Sequence, residues 1–405
     1  MHWSEAPGAR GFPIEERDRR WQRARELMAE RRLDVLLAFP QWYGGDALYL
    51  ANQNGFVYFP LEGEPVIVIG GEDSNRAIAR KVWIDDRRSA SETGSTRVEY
   101  GAAAAKVLKE KGADGKRIGL IGMFGTNYTS VRMAEGYLNY SSVVRVQEAV
   151  PQAEMVDATD VISELRHIKS DAELDVLRES VRIGEASANA MLEHARIGAL
   201  QAEVHGLMLL EQMKYGVTQA GAAWCPGGWG EPKHRYVQSP PGRIEPGLYV
   251  CTEIMAQVRG YGAQIAEPLV VGEPTDEAYR TFELNQRIIA RAMELMRPGN
   301  TWGQVEEGTA EVLEGTGYRL EFLMHGQGLG NDGPLLIPTD VHARTWHDPV
   351  RERSTFVLKP SAFPERLGEH DTARAHDVTW GDTVVVTAHG AERLGTRPMT
   401  LNVVK

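Results

Sequence analysis

The sequence predicts an α/β protein of two domains, a smaller alternating one first and a larger one after it. Three observations carry this. Strand-like apolar runs alternate with helical patterns over the first third of the chain, a helix-opening signal marks a boundary near residues 150–170, and the second part holds an internal repeat. The 405 residues allow two to three domains at roughly 150 residues each.

Residues 16–32 are charge-rich, with Trp21, Ala24, Leu27 and Met28 on one stripe, which predicts an amphipathic helix. Short apolar runs at 35–39, 66–69 and 118–121 read as strands, and 102–111 reads as a helix between them. Val150-Pro151 closes this unit. Ser170 and Glu173 then form a capping-box pattern that opens a helix reaching about His194, with Leu174, Leu177, Val181, Met191 and Ala195 on its buried side. Arg196, Gly198, Val204 and Gly216 recur 101 residues later as Arg297, Gly299, Val305 and Gly317, which points to two related halves about a pseudo-twofold axis. Thr301 and Gln304 cap the second copy. The expected domains are 1–155 and 156–405.

Composition narrows the function. At 42% apolar and 25% charged residues the chain reads as an ordinary globular protein. Lys and Arg number 45 against 56 Asp and Glu, a formal charge of −11, which argues against nucleic acid as partner. Cys225 and Cys251 are too few for a disulfide framework and lack C-x-x-C spacing. With no apolar h-region at the N-terminus and no run of about 18 apolar residues, the expectation is a cytoplasmic protein with no membrane partner. No phosphate-loop, zincin or serine-hydrolase motif occurs. The G-x-G-x-x-G match at 328–333 is followed at once by Pro334, which denies it the helix a dinucleotide site needs.

Five segments in order carry a resemblance: 166–173 (RHIKSDAE), Arg297-Pro298-Gly299, 260–275, 325–329 (HGQGL) and 382–387 (DTVVVT). Over nearly its full length the chain resembles the creatinase, aminopeptidase P and prolidase family. The resemblance implies a smaller N-terminal creatinase-type α/β domain, a pseudo-twofold pita-bread domain and a homodimer. Peptidases of that family hold two metal ions with two aspartates, a histidine and two glutamates. The matching positions here are Glu253, Gln264, His325, Lys359 and Gly381. Two divalent ions carry four positive charges and need several ionised oxygen ligands, which an ammonium at a ligand position opposes. The dinuclear site is therefore expected to be lost, with no metal and no cofactor. Lys359 either pairs with Glu253 in the vacated space or faces solvent.

The family's metal-independent branch, creatinase, hydrolyses a C–N bond with histidine and carboxylate side chains, and the residue that resembles its acid/base histidine is His234. A histidine, with an ordinary pKa of about 6.5, suits proton transfer near neutral pH. The resulting expectation is a metal-independent, creatinase-like enzyme on a small aromatic or cationic molecule. His234, His325, Glu253 and Lys359 are its catalytic residues, and Trp42, Tyr43, Trp224, Trp229, Tyr236, Gln264 and Arg344 bind substrate. The creatinase carboxylate resembling a substrate anchor falls near Ala266, with Glu267 one position along, and Asn331-Asp332 stands where prolidases carry a second histidine. Hydrolysis is favoured. A metal-free lyase, an inactive peptidase-like binding protein and an Xaa-Pro-type metallopeptidase with an atypical site stay open beside it.

Overall fold

The computed structural model describes residues 11–40, 45–70, 82–90, 99–125, 135–228, 240–336, 345–366 and 378–405. The chain divides into two units. One holds Arg10–His167 with Leu329–Asp332, the other Ile168–Gly328 with Gly333–Lys405.

In the N-terminal unit, helix α1 (Ile14–Glu30) buries Trp21, Ala24, Leu27 and Met28, the stripe read from the sequence. Its Arg20 is also buried, held by Glu16 one turn back at 2.7 Å and stacked over the Tyr49 ring at 4.2 Å. Strand β1 (Val35–Ala38), helix α2 (Asp46–Ala51), β2 (Phe56–Pro60), β3 (Val66–Ile69), β4 (Asp86–Ser89), α3 (Tyr100–Glu110), β5 (Arg117–Leu120), α4 (Tyr140–Ala149), β6 (Glu154–Asp157) and α5 (Thr159–His167) follow. The strands form one mixed sheet in the order β4-β3-β2-β1-β5-β6. β1 pairs antiparallel with β2 and parallel with β5, which makes it an interior strand, and every residue in it is apolar and buried.

This unit also contains a sealed ion triad. Arg166 bridges Asp46 Oδ1 at 2.6 Å and Asp332 Oδ1 at 2.7 Å, with all three side chains at most 1% exposed. Asp332 accepts the Leu329 N–H at 2.8 Å as well, so the residue standing where prolidases carry a histidine fastens its own turn.

The C-terminal unit opens with α6 (Asp171–His194). Its capping box is formed in both directions, Glu173 N–H to Ser170 Oγ at 3.1 Å and Ser170 N–H to Glu173 Oε2 at 2.8 Å. Helix α7 (Gln201–Met213) follows, then β7 (Gln219–Gly228), β8 (Leu248–Val258), β9 (Tyr261–Ile265) and β10 (Pro268–Val271). The order of two helices followed by antiparallel strands repeats. Helices α8 (Asp276–Leu295) and α9 (Trp302–Ala310) precede β11 (Tyr318–Glu321), β12 (Met324–Gly326), β13 (Leu335–Leu336), β14 (Thr355–Leu358), β15 (Ser361–Pro364), β16 (Asp382–Thr387), β17 (Gly390–Arg393) and β18 (Asn402–Val404). Two sheets result, β18-β10-β8-β7 with β9 on β8, and β13-β12-β14-β16-β17, while β11 and β15 pair separately.

Strand alternation assigns the faces of β8. Ile254 and Ala256 turn toward α6, whose Ser180 Oγ bonds the Ala256 carbonyl and whose Gly184 abuts Ile254. Tyr249, Cys251 and Glu253 therefore leave the other face. No helix among the described residues is long and apolar enough to cross a membrane.

Candidate functional site

Residues from β7, β9 and the link between β14 and β15 converge on Glu253 of β8. It lies opposite Ala223 of β7. Gln264 of β9 reaches back across the hairpin, its Nε2 donating to Glu253 Oε2 at 3.1 Å. The other carboxylate oxygen accepts from Lys359 Nζ. Lys359 is 4% exposed, and the Glu253 side chain keeps 22% of its surface. An ammonium that deep is tolerated only when paired, and here one partner retains contact with water.

Lys359 also governs what Gly381 can be. A Cβ at position 381 would stand 2.6 Å from Lys359 Cβ and 3.0 Å from the Leu358 carbonyl oxygen, inside ordinary contact distance. The glycine permits a backbone bridge with Ala266, bonded in both directions at 3.0 and 3.1 Å.

His325 is the centre of β12, opposite Leu335 and Val357, and is buried. Val357 in turn pairs with Thr383, so His325, Val357 and Thr383 form one cross-strand row. Lys359 and Gly381 lie two residues further along and share that face. His325 Nδ1 lies 3.1 Å from the Gly326 carbonyl oxygen. A carbonyl only accepts, so in the neutral ring Nδ1 carries the proton and Nε2 the lone pair.

Gln264 is fixed at its backbone. Its N–H donates to Thr383 Oγ1 at 2.9 Å and its carbonyl accepts that hydroxyl at 2.8 Å. Because the carboxylate requires Nε2 as donor, Oε1 is the remaining amide atom. It is buried, with no hydrogen-bond donor among the described residues.

A second charged assembly adjoins the first. Arg397 donates to the Gly381 carbonyl and to that of Ala266, the latter at 3.2 Å, and stacks on Trp380 at 4.1 Å. Its Nε stands 3.2 Å from Glu267 Oε2, and Arg393 Nε donates to Asp382 Oδ2 at 2.9 Å. Glu185 of α6 accepts the Thr396 and Arg397 N–H groups. Burial pushes the Glu267 carboxyl up to about 7 against the pull of Arg397 and Asn402. It raises Asp382 too, and lowers Arg397. Sequence reasoning missed Arg397 and Arg393 entirely, and no periodicity or motif in 393–397 marks them.

Of the residues expected to act, Glu253, Gln264 and Lys359 come together. Trp224 faces the other way, fully buried on the α7 side of β7, its Nε1 bonded to Gln201 at 3.0 Å. Trp42, Tyr43, Trp229, His234, Tyr236 and Arg344 lie outside the described residues.

The donor set does not fit the two-ion centre that the resemblance implies. Lys359 spends its proton-bearing nitrogen on Glu253, position 381 has no room for a side chain, and among the described residues no group of three His, Cys, Asp or Glu side chains could share an ion.

Comparison with known proteins supplies kinship. Residues 175–388 match the family model described as Metallopeptidase family M24, and residues 20–168 that of the Creatinase/Prolidase N-terminal domain. An Xaa-Pro dipeptidase of Pyrococcus furiosus is 27% identical over 64% of this chain and 72% of its own length. A creatinase of Bacillus sp. is 24% identical over 95% of this chain and 91% of its own. Among solved structures, the X-Pro aminopeptidase of Thermotoga maritima superposes with a TM-score of 0.73 at 18% identity, covering 93% of this chain and 99% of that one. Dipeptidase PepE of Mycobacterium ulcerans gives 0.71 at 21%, covering 98% and 100%. The expected architecture holds: a creatinase-type N-terminal domain followed by a pita-bread domain.

These matches correct the expected function. A metal-independent, creatinase-like enzyme, with its metal-free lyase alternative, is overturned by relatives that are Xaa-Pro dipeptidases and by a metallopeptidase family model. The physical reason is one of scale. Five side-chain positions carry the metal-independent expectation, whereas kinship is written across the scaffold, and exchange of ligand-type residues leaves that scaffold in its family.

Proposed function

The chain belongs to metallopeptidase family M24, and on that premise we propose that it hydrolyses an amide C–N bond in a small, peptide-like molecule. The observation that carries the reading is the buried Gln264 Oε1, a carbonyl oxygen with no donor among the described residues beside a carboxylate held in place on both sides. Such an acceptor suits an N–H of the substrate, because leaving it unmet inside the protein costs about 1–3 kcal/mol. A secondary amide supplies that N–H, and in an Xaa-Pro dipeptide, whose scissile bond carries none, the N-terminal ammonium does. His325, at the family's histidine position, is the residue that exchanges a proton with the substrate, taking one up and returning it to the departing nitrogen. Glu253 and Lys359 fix the local charge, the ammonium facing whatever negative charge develops. The Xaa-Pro dipeptidase relatives support a small peptide-like amide as the substrate class. By the same resemblance the chain forms a homodimer of about 90 kDa, twice 44.9, measurable by light scattering.

The test is turnover of a panel of Xaa-Pro dipeptides and N-substituted small amides in heavy-oxygen water, with divalent ions supplied. Hydrolysis places one labelled oxygen in the product carboxyl. His325→Ala lowers kcat by about 10²-fold or more, and Gln264→Leu raises KM with less effect on kcat. A panel that binds but is never cleaved overturns the reading.

A further inference from the structure

The chain has only two cysteines in 405 residues, and the fold sets them directly opposite each other: Cys225 of β7 pairs with Cys251 of β8. Both are thiols. Directly paired antiparallel residues have Cα atoms about 4.5–5.5 Å apart, within the roughly 4.4–6.8 Å that a disulfide spans. Joining them asks only for a small adjustment of the β7–β8 pairing, not its separation.

Their position relative to the site matters more. Cys251 precedes Glu253 by two residues, so both side chains leave the same face of β8. Ala223, two before Cys225, is the partner of Glu253. The dithiol is thus the next cross-strand pair on that face after the one that carries the Glu253 carboxylate. Trp224 and Thr252, the rung between, point to the opposite face. Cys225 is 6% and Cys251 8% exposed, which admits a small neutral oxidant and slows bulky reagents.

The geometry points to a reversible oxidation site: Cys225 and Cys251 close into a disulfide under a small hydroperoxide and thereby shift the strand that presents Glu253. One thiolate attacks the peroxide, the O–O bond breaks, and a sulfenic acid forms together with one water from hydrogen peroxide, or one alcohol from an organic hydroperoxide. The second thiol attacks that sulfur, the S–O bond breaks, and water leaves as the S–S bond forms. Two electrons and two protons pass from the thiols to the peroxide. A covalent tie there locks β7 to β8 two rungs from Glu253, at the next pair on its face, and changes its reach to Lys359 and Gln264.

The experiment treats the full-length protein with hydrogen peroxide and reads it by intact mass, non-reducing peptide mapping, hydrogen exchange over residues 249–255 and turnover. Expected are a loss of about 2 Da, a joined peptide containing both cysteines, and increased exchange protection, all reversed by a dithiol reductant and absent in Cys225→Ser and Cys251→Ser. Turnover falls about tenfold on oxidation and recovers on reduction. Oxygen added to single cysteines without a joined peptide, or no reaction, overturns the proposal. So does a joined peptide with exchange at 249–255 unchanged. Only the turnover arm rests on the hydrolase reading; mass, mapping and exchange report whether or not the protein cleaves an amide, so the two failures are distinguishable.

Discussion

Two charged assemblies meet at Gly381 and handle their charge in opposite ways. The Glu253–Lys359–Gln264 group keeps one side toward water, with the carboxylate 22% exposed. The group of Glu267, Asp382, Arg393 and Arg397 is sealed where its acids are, Glu267 at 3% and Asp382 at 1%. Burial there moves the acids' titration upward, Glu267 to about 7. The contrast teaches that the open group is arranged to meet something, while the sealed one fixes the strands that present it. Arg397 does this directly, binding the Gly381 and Ala266 carbonyls that join the two sheets of the unit.

Substitutions sharpen that division. Arg397→Met strands the buried Glu267, leaves Asp382 only Arg393, and removes the staple on the bridge. It is expected to cost about 3–5 kcal/mol in urea unfolding; a cost below about 1 kcal/mol would make the sealed group no different from a surface pair. The next effect is one of pH. Because burial raises the folded Glu267 pKa above its ordinary value of 4.5, the folded chain holds a proton that the unfolded chain releases between there and about 7. Stability is therefore fullest below the unfolded value and declines as pH rises through that window, with Asp382 adding the same sign. Thermal melting should drop by several degrees from about pH 5 to pH 8, and Glu267→Gln should flatten the slope; a melting temperature that rises over that range breaks the assignment. The open group gives the smallest effects. Lys359→Glu exchanges a repelling ammonium for a carboxylate, so affinity for a divalent ion by titration calorimetry should rise at least about tenfold over the parent. Lys359→Met should cost only about 1 kcal/mol of stability, since water reaches Glu253 once the ammonium is gone.

Much of this was legible before any coordinates. The stripe on α1, the capping boxes at Ser170 and Thr301 and the strand at 35–38 are local, and local chemistry writes itself into adjacent residues. The unusual types at 359 and 381 could also be read, because the resemblance named their positions. What stayed hidden is what joins distant residues. Arg397 meets partners 16, 131 and 212 positions away in Gly381, Ala266 and Glu185, and nothing periodic links such separations. Trp224 shows a subtler limit. Aromatic type made it a substrate candidate, but strand alternation sends it to the face opposite Glu253, and which face is inward depends on the register with β8.

The crowding at Gly381 also restricts how this protein could change. A side chain there collides with the Cβ of residue 359 and with the Leu358 carbonyl, features that survive almost any replacement of Lys359. A mutational walk toward carboxylates at both positions is therefore not two independent steps. The step at 359 alters charge alone and is open at once. The step at 381 requires the strands on either side of the bridge to part first, so the order of substitutions, and not only their identity, decides which neighbouring sequences this fold can visit.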